Sequence, residues 1–144
     1  MTQKQQVVTD TAPKPLGAYS HATRVHDWLF LSGQGARDPK TGKLVSPTRN
    51  GQGDYSGYDI RQHTRACIEN VKAVVESAGG KLADLVDVTV LLVNMQDFAG
   101  FNEVYETYFR DSRPARTTMG VSSLPMDNVI EIKAVAYLGA REKS

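Results

Sequence analysis

Hydrophobic positions along this chain switch between two rhythms, and the switches outline its elements. His26-Asp27-Trp28-Leu29-Phe30-Leu31 is a compact apolar segment of strand length. It stops at Ser32-Gly33-Gln34-Gly35, where two glycines permit a tight turn or close approach of a ligand to the backbone. Asp38-Pro39-Lys40-Thr41-Gly42 predicts a hairpin tip, and the Gly, Asn, Asp and Ser of residues 46–57 predict a surface loop. A three-and-four spacing then takes over. Ile60, Thr64, Cys67, Ile68, Val71, Val74, Val75 and Ala78 share one face of a helix. Asp59 is placed to cap it with Gln62 as the reciprocal partner, and Gly79-Gly80 to end it. Residues 85–93 are almost continuously apolar, which predicts a central strand covered on both faces. Phe98, Phe101, Tyr105 and Tyr108 recur at helical spacing within a second helix over about residues 97–109, and read as core. Two strands follow, Arg116-Thr117-Thr118-Met119-Gly120-Val121 and residues 129–137, joined by a turn at Pro125-Met126-Asp127-Asn128. Each helix is free to cover a sheet face, so the order predicts an α+β layered domain.

The bulk properties narrow the setting. A chain of 144 residues suits one domain and should bury roughly 68–70% of its unfolded surface without a staple. Polar residues 1–12 predict a flexible N-terminal arm, with the domain over residues 13–140. The N-terminal stretch lacks the apolar run of a signal peptide, and nothing approaches the ~18 apolar residues of a membrane span. The formal charge of +1 supports neither a nucleic-acid nor a membrane partner. Cys67 stands alone, so neither an internal disulfide nor a thiolate metal site is expected, and a reducing, cytoplasmic setting is.

A few placements could carry chemistry. Arg116 opens an apolar strand, where its planar fork could grip a carboxylate or simply face solvent. Glu131 sits between Ile130 and Ile132, where apolar neighbours could tune it as a general base; alternatively it shares the exposed face of an alternating strand with Lys133. For both, pattern alone favours the plainer reading. Tyr19 and His21 precede the first firm strand and could donate to a substrate or merely pack. His26 and His63 have no partner at metal-ligand spacing, so no metal is assigned. Ser32 lacks a nucleophile elbow, and Gly33-Gln34-Gly35 lacks the rest of a dinucleotide fingerprint.

Taken in order, Gly17-Ala18-Tyr19, Leu31-Ser32-Gly33-Gln34, Asp38-Pro39-Lys40-Thr41-Gly42, Glu69-Asn70-Val71-Lys72-Ala73-Val74, Asp97-Phe98-Ala99, Asn102-Glu103-Val104-Tyr105, Pro114-Ala115-Arg116 and Ile130-Glu131-Ile132 resemble the RidA (YjgF) enamine/imine deaminase family. The resemblance implies a chorismate-mutase-like α+β single domain, its mixed sheet carrying two helices on one face, assembled as a homotrimer with ligand clefts between subunits. It implies Arg116 as the substrate-carboxylate arginine and Glu131 as the residue that positions or activates water. Tyr19, Gly33, Asn102 and Thr118 fall around the cleft, Thr118 where the family often has cysteine. No cofactor is implied. Ser20-His21, the loop of residues 46–57 and Asp97-Phe98-Ala99-Gly100-Phe101-Asn102 are similar to the 2-aminomuconate deaminase branch, where the product is 4-oxalocrotonate in aromatic catabolism. On that reading His21 or Arg37 would meet a second carboxylate. A general deaminase for 2-iminobutanoate, 2-iminopropanoate and 2-aminoacrylate-derived imines is the alternative. A non-enzymatic, RNA-directed or translation-inhibitor role comes third, since phosphate binding would need more positive charge.

Overall fold

The computed structural model describes residues 3–139; the first two residues of the expected arm and the last of the expected domain lie outside them. Six strands form one sheet: β1 (Gln5–Val7), β2 (Ala22–Val25), β3 (Trp28–Leu31), β4 (Leu85–Leu92), β5 (Ala115–Gly120) and β6 (Ile130–Tyr137). Their spatial order is β1-β2-β3-β6-β4-β5, antiparallel except for β4 with β5. Helices α1 (Ile60–Ser77) and α2 (Phe98–Phe109) pack together on one face. The α+β reading, with a mixed sheet and both helices on one side, describes the fold.

Helix α1 begins and ends as its sequence dictates. Asp59, extended, accepts a hydrogen bond from the Arg61 amide. At the other end Gly79 takes φ +89°, while the Gly79 and Gly80 amides bond back to Glu76 and Val75. The expected stripe is buried from Ile60 to Val75, and Ala78 is half-buried. Gln62 does not complete a capping box, because it accepts from the Ser46 hydroxyl and ties the 46–57 loop to the helix.

Four expectations need correction. Gln5–Val7 pair with β2, and Ala12 is buried, so the polar N-terminal stretch is docked; edge pairing uses backbone groups and needs no apolar side chains. The apolar segment at Trp28 is the second strand of a hairpin whose first strand, β2, has too weak a pattern to announce itself. Strand β4 is not covered on both faces: Val88, Val90 and Leu92 are buried under the helices, whereas Val86 is exposed and Leu91 only half-buried. Finally, β5 and β6 do not pair, for β4 lies between them. A turn at Pro125-Met126-Asp127-Asn128 read from sequence cannot show that the chain crosses over a third strand.

The core lies between α1, α2 and one sheet face. Ile130, Ile132, Ala134 and Ala136 of β6 point into it, and Leu29 and Leu31 join from β3. Each large aliphatic side chain buried there contributes roughly 1.5–3 kcal/mol. The other sheet face is largely open, with Trp28, Phe30, Val86, Met119 and Tyr137 exposed. Among the described residues no helix is long and apolar enough to cross a membrane.

His63 is fully buried on α1, with Nε2 2.8 Å from Ser46 Oγ. Because Ser46 donates to Gln62, Nε2 carries the proton, and Nδ1 is left buried without a partner. Burial holds the His63 pKa below the usual histidine value, opposed only by Asp59. The unfolded chain therefore binds a proton near pH 6.5 that the folded chain refuses, so stability falls as pH drops below that point. The melting temperature, followed from pH 7.5 to 5, should decline more steeply in wild type than in His63→Leu; parallel profiles would show that His63 is not the sensor.

Candidate active site

Strand alternation decides where the two candidate charges point. Arg116 pairs in register with Val88, a core-facing residue, so Arg116 and Thr118 lie on the helix side of edge strand β5. Glu131 pairs with Leu91, which pairs with Met119, so Glu131 lies on the open side. Within one chain the two residues are on opposite faces of the sheet. They form two half-sites.

The arginine half-site is built on α2. Phe98, Phe101, Asn102 and Tyr105 recur at the spacing that puts them on one helix face. Asn102 Oδ1 accepts from Arg116 Nη1 at 2.8 Å. The Arg116 guanidinium carbon lies 4.6 Å from the Tyr105 ring centre, 5.3 Å from Phe101 and 5.7 Å from Phe98. Stacking on ring faces and one amide bond fix the plane of the fork while leaving other donors for a ligand. Tyr105 Oη and Thr118 Oγ1 are buried without partners, an unusual pair of unmet hydrogen-bonding groups beside the cation. Burial raises the Tyr105 pKa and Arg116 opposes the rise, so the phenol is neutral and can donate. The half-site opens into a cleft of about 660 Å³ lined by Asn102, Tyr105, Arg110, Arg113 and Arg116 among others, a size suited to a small ligand.

The glutamate half-site depends on a bulge. Phe30 pairs with Val135 and Gln34 with Ile132, so four steps along one strand oppose three along the other. The extra residue brings Gly33 against Glu131: a Cβ on Gly33 would lie 2.8 Å from Glu131 Oε2. Burial raises the Glu131 pKa above the usual carboxylate range, with Lys133 opposing it. Tyr19, His21, Gly33, Arg37 and Glu131 surround a recess of only about 50 Å³, room for ordered water and too little for a substrate.

Tyr19 accepts from the Leu16 amide and is half exposed. His21 is committed at both ring nitrogens, Nε2 to the Pro13 carbonyl and Nδ1 to the Thr9 amide. Arg37 donates to the Gly42 and Lys14 carbonyls. Both act as latches for the N-terminal segment and the 38–42 turn. Cys67 is buried and donates to the Gln34 carbonyl, and burial pushes its thiol far up, as befits a core residue. Sequence reasoning missed Asn128, whose amide accepts from Ala36 and donates to Pro125, so securing the strand beyond the bulge. It also took Phe101 and Tyr105 as core alone. Their spacing with Asn102 on α2 was the available signal. No group of three metal-ligating side chains occurs among the described residues.

The structure is thus a single α+β domain with an arginine, stacked on aromatic rings, at a cleft large enough for a small ligand. The family model described as Endoribonuclease L-PSP matches residues 9–138, and the chain belongs to that family, the RidA/YjgF family. A RutC family protein of Pyrococcus horikoshii is 46% identical over 134 residues, 93% of this chain and 98% of the relative. The 2-iminobutanoate/2-iminopropanoate deaminase of Mus musculus is 33% identical over 136 residues, covering 94% and 93%. The structure of E. coli TdcF with bound serine aligns with TM-score 0.80 and 32% identity, over 92% of this chain and 98% of that one.

The two bulge-region glycines separate function from stability. Gly33→Ala meets the movable end of Glu131, so it should displace the carboxylate and leave the melting temperature nearly unchanged. Gly35→Ala meets the Asn128 amide, held by two hydrogen bonds, and should cost about 1–3 kcal/mol. Thermal melts of both variants check the contrast, and equal losses would remove it.

Proposed function

We propose that this chain hydrolyses short 2-imino acids to 2-oxo acids and ammonia, as the names of the 2-iminobutanoate/2-iminopropanoate deaminase relatives indicate for those proteins. The observation that carries the reading is the Arg116 guanidinium, stacked on Tyr105 and held by Asn102 at the mouth of the cleft. It binds the substrate carboxylate through paired charge-assisted hydrogen bonds and fixes the imine carbon in place. Glu131 removes a proton from water as the oxygen bonds to the C=N carbon. That proton passes to nitrogen, and the carbinolamine collapses to a carbonyl as ammonia leaves. The raised Glu131 pKa makes it a stronger base than a solvated carboxylate. Tyr19, Gly33 and Thr118 complete the walls of the site.

One chain cannot bring Arg116 and Glu131 to one small molecule, because they lie on opposite sheet faces. We therefore propose a cytoplasmic homotrimer in which each cleft takes Arg116 from one subunit and Glu131 from its neighbour. The exposed apolar residues of the open sheet face support that burial. The imino-acid reading is preferred to 2-aminomuconate because the named deaminase relatives are 2-iminobutanoate/2-iminopropanoate deaminases; His21 and Arg37, offered for a second carboxylate, are engaged by backbone groups.

The test is ammonia release from 2-iminobutanoate generated in situ, with 2-aminomuconate in parallel. Wild type should exceed spontaneous hydrolysis. Arg116→Ala should lose about 2–3 kcal/mol of transition-state binding, roughly a hundredfold in kcat/KM. The wild-type rate should rise with pH through a raised carboxylate pKa, and Glu131→Gln should abolish that limb. Undiminished activity in Arg116→Ala would overturn the clamp, and salt-sensitive RNA cleavage without ammonia release would favour the nucleic-acid reading. Separately, Phe30→Glu on the open face should reduce the light-scattering mass from three times the 15.8 kDa chain to one, with loss of activity. A wild-type monomer retaining full activity would refute the shared site.

A further inference from the structure

The cleft holds more positive charge than one carboxylate requires. Arg110 and Arg113 line it with Arg116, against Glu106 as the acidic lining residue, an excess of two formal charges. The arginines ion-paired among the described residues are Arg24, Arg49 and Arg61; neither Arg110 nor Arg113 has a side-chain partner there. Arg110, at the C-terminal end of α2, has a local explanation in the helix dipole. Arg113 does not. It occupies the left-handed region at φ +47°, its amide bonded to the Phe109 carbonyl, in a conformation where glycine is ordinarily preferred. Arg113 is exposed and lines the same cleft as Arg116. Two residues, Pro114 and Ala115, lie between them, so their Cα atoms are at most roughly 11 Å apart.

We propose that Arg113 is a specificity-determining residue that holds a second carboxylate, at the far end of the substrate from Arg116. The site would then prefer dicarboxylic imino acids to monocarboxylic ones. This rests on the imine-deaminase reading above. The distal partner is an arginine on the α2–β5 connection, on the same side of the sheet as the carboxylate clamp. His21 and Arg37 belong to the opposite half-site.

The test compares two imines made in situ by amino-acid oxidases, 2-iminoglutarate and 2-iminopropanoate, in wild type, Arg113→Gln, Arg113→Lys and Arg113→Gly. Wild type should favour 2-iminoglutarate in kcat/KM. Arg113→Gln and Arg113→Gly should lower that preference about tenfold, mainly through KM, and Arg113→Lys should restore part of it. Arg113→Gly suits the positive φ, so its melting temperature should not fall, which separates lost recognition from lost folding. Unchanged preference in Arg113→Gln and Arg113→Gly, or an equal loss on both imines, overturns the proposal. Binding of the non-reacting probes 2-oxoglutarate and 2-oxobutanoate, measured by calorimetry, distinguishes it from the reading beneath. If wild type hydrolyses neither imine, yet binds 2-oxoglutarate in preference and Arg113→Gln abolishes that preference, the deaminase reading fails and the second-anion site stands. Equal binding of the two probes in wild type overturns the site itself.

Discussion

The fold turns on the one-sided burial of β6. Ile130, Ile132, Ala134 and Ala136 must all face the helices, and strand geometry then forces Glu131 and Lys133 to the other side. The same constraint runs through β4 to β5, where Val88 and Val90 commit Arg116 and Thr118 to the helix side. A one-residue slip of β6 would put Glu131 and Lys133 into the core and expose its aliphatic row. Hydrophobic burial therefore aims both candidate charges, and aims them apart.

The two half-sites solve different electrostatic problems. Arg116 is oriented without being neutralised, because ring faces and a side-chain amide are attractive to a cation yet carry no negative charge. Glu131 is desolvated enough for its pKa to rise, yet is only half-buried. The bulge at Gly33 provides both, since a missing side chain leaves a small recess against the carboxylate while the strand's backbone covers it. Tyr58, directly after the 46–57 loop, donates to Asp97 at 2.6 Å and ties the chain there to the start of α2.

Much of this was legible in the chain. Helix α1 declared its cap, stripe and terminator, and α2 its aromatic face, because these are local signals repeated over several turns. Arg116 and Glu131 stood out as polar residues in apolar strands, although pattern alone gave each an equally good surface role. What was illegible was non-local. Strand β2 is short and mixed in polarity, β1 pairs through backbone alone, and the insertion of β4 between β5 and β6 leaves no trace in the turn that joins them.

By itself the sequence determined which residues are apolar, where helices start and stop, and which charges sit where a charge is unexpected. Local sterics and hydrogen bonding suffice for that. Only the tertiary structure decided that Arg116 and Glu131 occupy opposite faces, that His21 and Arg37 are held by backbone carbonyls, and that Arg113 shares a cleft with Arg116. The first depends on register between strands distant in the chain, the second on which backbone groups happen to be left unpaired nearby, and the third on how α2 packs beside β5. No periodicity within a single segment encodes any of them.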